Sequence, residues 1–391
     1  MNDFTFHNPA MVVFGRGKEE MTGALVKQHG GKKVLLHYGG GSIKRIGLYV
    51  RVVESLRREG IEFVELGGVQ PNPRLSLVRE GVELCKRSGI DFILAVGGGS
   101  VIDSAKAIAA ATLTTEKDIW EYYMNDPGGV SQALPIGVVL TIPAAGSETS
   151  DGSVITNEDG AFKRSIGSSC LIPRFAVLNP ELTFSLPPYQ TACGASDILA
   201  HLFERYFTQV GNVDLTDRLL EASMKTILLH APVALREPEN YNARAEIMWV
   251  GTLAHNNLLD TGRIGDWASH QIEHELSGIY DIAHGAGLSI VFPAWMRYVY
   301  RKSPYKFVQL AARVFDVDLA FEDEDAIARE MIERLENWFR LIKLPVRLSD
   351  AGIPEDRIPE MAEKALVSRQ SIGSYQTLGV PDVEAILQLA V

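Results

Sequence analysis

The chain has 391 residues, 46% hydrophobic and 22% charged, enough apolar material for two domains rather than one core. Its 38 basic and 49 acidic residues leave a net charge of -11, which excludes the broad positive field that nucleic acid or an anionic membrane requires. Three cysteines, Cys85, Cys170 and Cys193, form no C-x-x-C pair, and there is neither a secretory leader nor a run of about 20 apolar residues, so the expected location is the cytoplasm.

Met11 to Phe14, Lys33 to His37, Ile61 to Leu66, Asp91 to Val96 and Ile136 to Thr141 are short runs rich in Val, Ile and Leu. Bounded by Gly, Pro or Asn, they predict strands. Amphipathic stretches lie between them, at Lys44 to Glu59 and Leu75 to Ser88. This alternation predicts a parallel sheet with helices on both faces. Ser153 to Thr156 and Phe175 to Leu178 add two more strand-like pieces.

The character changes at Leu186-Pro187-Pro188. Beyond it the strand signals stop and a 3.6-residue period takes over, at Thr191 to Val210, Leu215 to Leu229, Ala243 to Leu259, Gly265 to Leu276, Ala286 to Val299 and Asp325 to Arg340. The expected division is an α/β domain over 1–186 and an all-α domain over 187–391.

Two glycine runs stand where strands end. Gly97, Gly98, Gly99 and Ser100 separate Ile93–Val96 from a helical stretch, Val101 to Ala111. Strand, glycine turn and helix N-terminus together suit a pyrophosphate: the backbone approaches closely and free N–H groups face the anion. A tight turn packing helix on sheet has the same pattern, and the run is not G-x-G-x-x-G. Gly39, Gly40, Gly41 and Ser42 follow the earlier strand, with Lys44 and Arg45 just after. An acidic residue there favours a free ribose 2′-hydroxyl; its absence leans toward NADP(H), with NAD(H) still open. A plain flexible loop is the alternative.

In the second half, Asp197 and His201 lie at i and i+4 of a helix, and His270 and His274 repeat that spacing in another. Each pair shares one helix face and can meet one ion. His284 follows, before Gly285. Carboxylate and imidazole together suit Fe(II) or Zn(II). The same stretch reads H-x-x-E-H over His270 to His274, a zinc peptidase pattern with Glu273 as base. A protein that binds metal or nucleotide without catalysis is a third reading.

Taken together, these segments resemble the iron-containing (group III) alcohol dehydrogenases, in particular the NADP-dependent butanol dehydrogenase and aldehyde reductase branch. The resemblance is carried by Gly67 to Pro73, Gly97 to Lys106, Pro143 to Ser150, the Asp197/His201 pair and the stretch from His270 to Gly285. It implies a dehydroquinate synthase-like fold, hydride transfer between NADP(H) and a small primary alcohol or aldehyde, and a homodimer. It also implies roles: Asp197, His201, His270 and His284 as metal ligands, His274 as a proton relay, and Asp103 beside the nicotinamide ribose. Gly97 to Ser100, Asn72, Thr141 and Lys163 correspond to cofactor contacts, and Gly39 to Ser42 to the loop for the 2′-phosphate. Ala283 departs from a frequent proline, and Glu273 is an unusual charge beside His274.

Overall fold

A computed structural model describes residues 1–114, 117–125, 129–319, 323–367 and 369–391. The chain forms two compact units. One comprises 7–186 with 238–256, and the other 1–6, 187–237 and 257–391.

The first unit is built on a six-stranded sheet of β1 (Met11–Phe14), β2 (Lys33–Tyr38), β3 (Glu62–Leu66), β4 (Phe92–Gly97), β5 (Ile136–Leu140) and β8 (Phe175–Leu178). Their order across the sheet is β1-β8-β5-β4-β2-β3. Every neighbouring pair is parallel. A parallel sheet covered on both faces needs apolar residues at successive positions, and β4 supplies them. Phe92, Leu94 and Val96 enter one core with Val52 and Leu56, while Ile93 and Ala95 enter the other with Val78 and Ile102. The helices here are α1 (Thr22–Gln28), α2 (Ser42–Arg45), α3 (Leu48–Arg58), α4 (Leu75–Ser88), α5 (Gly99–Leu113) and α6 (Ile119–Asn125).

The strand order reverses between β2 and β4. β3 lies to one side of β2, and the chain returns to place β4 on the other. Both glycine runs leave the carboxyl ends of these two strands, at the topological switch point where open α/β sheets bind ligands.

Three local features differ from the sequence expectation. The helix expected over 44–59 is two helices, because Gly47 takes φ +70° between α2 and α3. The piece at 153–156 belongs to a hairpin of β6 (Gly152–Asn157) and β7 (Phe162–Gly167), with Thr156 opposite Lys163. Lys163 and Arg164 concealed β7, although both side chains are buried; the Asp159-Gly160 turn was the readable signal. Helix α6 also lay outside the expected elements.

The second unit contains α7 (Pro188–Tyr206), α8 (Asp214–Arg236), α10 (Ala268–Tyr280), α11 (His284–Val299), α12 (Tyr305–Arg313), α13 (Glu324–Leu341), α14 (Ile358–Ala365) and α15 (Val380–Gln388). Helix α9 (Tyr241–Ala254) belongs to the first unit. Among the described residues the second unit has no strand, only an isolated bridge between Ile372 and Leu378. Its core includes Phe207, packed on Trp295, Phe307 and Tyr375 with ring centroids 5.1, 4.7 and 5.6 Å away. Helix α11 packs against both α7 and α10. Gly285 permits the approach to α7: a Cβ there would lie 2.9 Å from the Cys193 Cα. Ser196 Oγ seals the contact by donating to the Gly285 carbonyl at 2.7 Å.

Candidate metal centre and dinucleotide cradle

Asp197 and His201 project from one face of α7, His270 and His274 from α10, and His284 begins α11. The structure gathers four of these five side chains around one atom. Asp197 Oδ1 lies 3.3 Å from His201 Nδ1, 3.9 Å from His270 Nε2 and 3.8 Å from His284 Nε2. Ligands about 2.1 Å from a shared ion stand roughly 3.4 Å apart at tetrahedral angles; the ligand atoms of Asp197, His201 and His270 all lie within 4.8 Å of one another and fit one small cation, while His284 adjoins them and groups with Glu273 and His274. His274 sits at the margin, its ring centroid 5.8 Å from that of His284.

Hydrogen bonds decide which nitrogens face inward. Glu204, 1% exposed on α7, holds His270 Nδ1 at 2.7 Å. His270 Nε2 is left buried with no hydrogen-bond partner. A buried polar atom without a partner is costly and uncommon, and an imidazole nitrogen beside a carboxylate and two further imidazoles has the chemistry to hold a cation. Glu273 plays the corresponding part for His284, accepting from its Nδ1 and from Ser277 Oγ. Anchoring one ring nitrogen in this way fixes the tautomer that presents the other to a metal.

Glu204 also explains how α10 begins. Trp267 before it has φ +67° and provides no side-chain cap. The Glu204 carboxylate substitutes, accepting from the Trp267 N–H at 2.6 Å and the His270 N–H at 3.0 Å. Sequence reasoning missed Glu204, yet Asp197, His201 and Glu204 fall at i, i+4 and i+7, one stripe of a helix.

In the first unit, α5 starts at Gly99, directly beyond β4, and its first turn carries no acidic residue. Thr141 follows β5, and its N–H donates to the Gly97 carbonyl at 3.0 Å. Asn72 has φ +53°, and its loop is tied to the hairpin by the Thr156 N–H, which donates to the Pro73 carbonyl at 2.8 Å. Lys163 is buried in β7. Asp103 accepts from Ser147 Oγ at 2.5 Å and from the Val154 N–H at 3.0 Å. Burial pushes its pKa up, opposed first by the Lys106 charge.

Packing already accounts for part of the first glycine run. A Cβ on Gly99 would lie 2.9 Å from the Ala145 Cβ, and one on Gly98 3.0 Å from the Ile142 Cβ. Gly40 differs, with nothing within 4 Å. The second loop also has a carboxylate nearby that sequence order hid. Glu65, near the end of β3, accepts from Tyr38 and Tyr49 at 2.8 and 2.5 Å and lies 3.8 Å from Lys44 Nζ.

Comparison with known proteins covers nearly the whole chain. Residues 9–180 match the family model "iron-containing alcohol dehydrogenase", and 191–391 match the "Fe-containing alcohol dehydrogenase family, C-terminal" model. A probable NADH-dependent butanol dehydrogenase of Bacillus subtilis is 44% identical over 99% of both chains. The NADPH-dependent aldehyde reductase YqhD of Escherichia coli is 37% identical over 93% of both. The crystal structure of NADH-dependent butanol dehydrogenase A from Thermotoga maritima superposes with a TM-score of 0.96 at 43% identity, covering 100% of this chain and 99% of that one. The peptidase reading of His270 to His274 finds no support among these relatives. It also requires Glu273 as an accessible base, whereas that carboxylate is fully buried and bound to Ser277 and His284. The chain belongs to the iron-containing alcohol dehydrogenase family.

Proposed function

We propose that this enzyme interconverts small primary alcohols and their aldehydes, of butanol and butyraldehyde size, with a nicotinamide dinucleotide as hydride carrier. Asp197, His201, His270 and His284 would hold one divalent ion, iron or zinc. The observation that carries this reading is the convergence of three imidazole nitrogens on Asp197 Oδ1. Such an ion, when bound, acts as a Lewis acid toward a substrate oxygen.

The chain's own residues do the rest. Glu204 and Glu273 orient imidazoles. His274, on the same helix face as His270, gives the product oxygen its proton in reduction and takes it back in oxidation. Gly97 to Ser100 and the N–H groups opening α5 receive the pyrophosphate, with Asn72, Thr141 and Lys163 as further contacts. Asp103, held by Ser147 and Val154, binds the nicotinamide ribose.

The Gly39–Ser42 loop accepts both dinucleotides in this reading. It carries no carboxylate of its own, which leaves room for a 2′-phosphate. Lys44, the nearest ammonium, is drawn to Glu65 and to the faces of Tyr38 and Tyr49, 5.1 and 4.8 Å from their centroids. Initial rates with NADH and NADPH test this, and Glu65→Gln should raise the NADPH share by freeing Lys44. Exclusive use of one cofactor, unchanged in the variant, would overturn it.

We further propose a cytoplasmic homodimer. Among the described residues no helix is long and apolar enough to cross a membrane, and the three cysteines are unpaired. Strand β1 offers an open sheet edge with Met11 and Phe14 exposed, and light scattering tests it. For the activity, the decisive assay follows reduced-nicotinamide absorbance with butyraldehyde before and after chelation. Undiminished turnover in the metal-free protein would remove the foundation of the proposal.

A further inference from the structure

Glu273 holds His284 through Nδ1, the ring nitrogen other than the one that lies nearest Asp197. It is 0% exposed, inside α10. Burying a carboxylate is costly unless partners compensate, so its position calls for a reason. Room for it is made by an absence. Gly287, one turn into α11, stands where a Cβ would lie 2.7 Å from the Glu273 Cγ and collide with its Oε1. A glycine inside a helix is itself unfavourable relative to alanine. Two costly choices, on two helices, thus meet at a single carboxylate.

His284 explains both. It is the first residue of α11, preceded by Ala283, which provides no side-chain cap. Its side chain is 23% exposed, against 4% for His201 and 7% for His270. Of the three imidazoles it is the one least confined by packing. Ser277, one turn beyond Glu273, donates to Oε1, leaving Oε2 to His284 Nδ1.

We infer that Glu273 is the positioning residue for His284. It fixes the Nδ1–H tautomer, turns Nε2 toward Asp197 and raises the donor strength of that nitrogen toward the ion. Gly287 supplies the space this requires. The inference rests on the metal-centre reading above.

The test uses the full-length enzyme, stripped of metal and titrated with Co(II), whose visible bands report ligand geometry. Chelator competition gives the affinity. Glu273→Leu should weaken Co(II) binding about 10–100-fold and alter the bands, with dinucleotide affinity unchanged. Glu273→Gln keeps an acceptor oxygen and should lose less. Gly287→Ala, which displaces the carboxylate without deleting it, should move affinity and bands in the same direction, and adding it to Glu273→Leu should cost nothing further. Should Glu273→Leu fail to fold, Glu273→Gln and Gly287→Ala decide. Wild-type affinity and bands in Glu273→Gln and Gly287→Ala, while His284→Ala loses Co(II), would overturn the inference alone. Unchanged Co(II) binding in His270→Ala and His284→Ala would instead overturn the metal-centre reading beneath it.

Discussion

His37, at the switch point of the sheet, and His270, in the helical unit, are both buried imidazoles, yet their hydrogen bonds differ. His37 ends the run of β2 that pairs with β3. Its Nδ1 lies 2.8 Å from the Leu66 carbonyl and its Nε2 2.9 Å from Ser104 Oγ. His270 has the first kind of partner, Glu204, but none for Nε2. A ring satisfied on both sides ties β2, β3 and α5 together and needs nothing more. A ring satisfied on one side, with its other nitrogen facing a carboxylate oxygen, is arranged for a ligand. Burial cannot separate architecture from chemistry here; the state of the second nitrogen does.

The strongest way to break the comparison is to delete each ring. His270→Ala should lose the bound metal and lower turnover on the order of a thousandfold while dinucleotide affinity stays unchanged. His37→Gln should retain the metal. Metal analysis of both proteins checks this, and equal metal content in the two would erase the distinction. Glu204→Ala comes next in size. It leaves the His270 Nδ1 and the backbone N–H groups of Trp267, just before α10, and of His270 without their acceptor. A stability loss of about 2–4 kcal/mol should accompany weaker metal binding, read by denaturant unfolding and metal titration. Weakened metal binding at full stability would show that Glu204 orients His270 without capping the helix.

These two regions were unequally legible in the sequence. The Asp197/His201 and His270/His274 pairs were visible as spacing, because i and i+4 on a helix place side chains together whatever the surroundings. Closing it required α11 to approach α7 over Gly285, which no spacing states. Glu204 was missed because its role depends on a helix beginning more than 60 residues later. The parallel sheet was legible from its apolar runs, and β7 was not, because buried Lys163 and Arg164 imitate a solvated loop. Glu65 illustrates the deepest limit. It is more than 20 residues from the Gly39–Ser42 loop in sequence and reaches Lys44 only through the pairing of β2 with β3.

The glycine runs sharpen the same comparison at smaller scale, since packing and ligand binding both ask for glycine. Gly99→Ala drives a Cβ against Ala145 and should cost about 1–2 kcal/mol of stability. Gly40→Val meets nothing within 4 Å and should leave Tm unchanged, while dinucleotide affinity falls about tenfold as the side chain fills the approach to the ribose. Fluorescence titration and thermal melts separate the two. Full dinucleotide affinity in Gly40→Val would remove that loop from the cradle.

The smallest effect follows from His37 being satisfied while neutral. Burial pushes its pKa down to about 4, against an ordinary 6.5, with the Leu66 carbonyl opposing only in part. The folded protein therefore binds fewer protons than the unfolded chain between those values. The stability this contributes is complete above the ordinary pKa and is lost as pH falls toward the depressed one. By about pH 6 the loss should be near 1 kcal/mol. His37→Gln, which keeps a donor and an acceptor without titrating, should flatten that part of the profile. Denaturant midpoints between neutral pH and about pH 5 measure it. An unflattened profile would mean that another buried base carries the proton uptake, and that the two-sided hydrogen bonding of His37 does not hold it neutral.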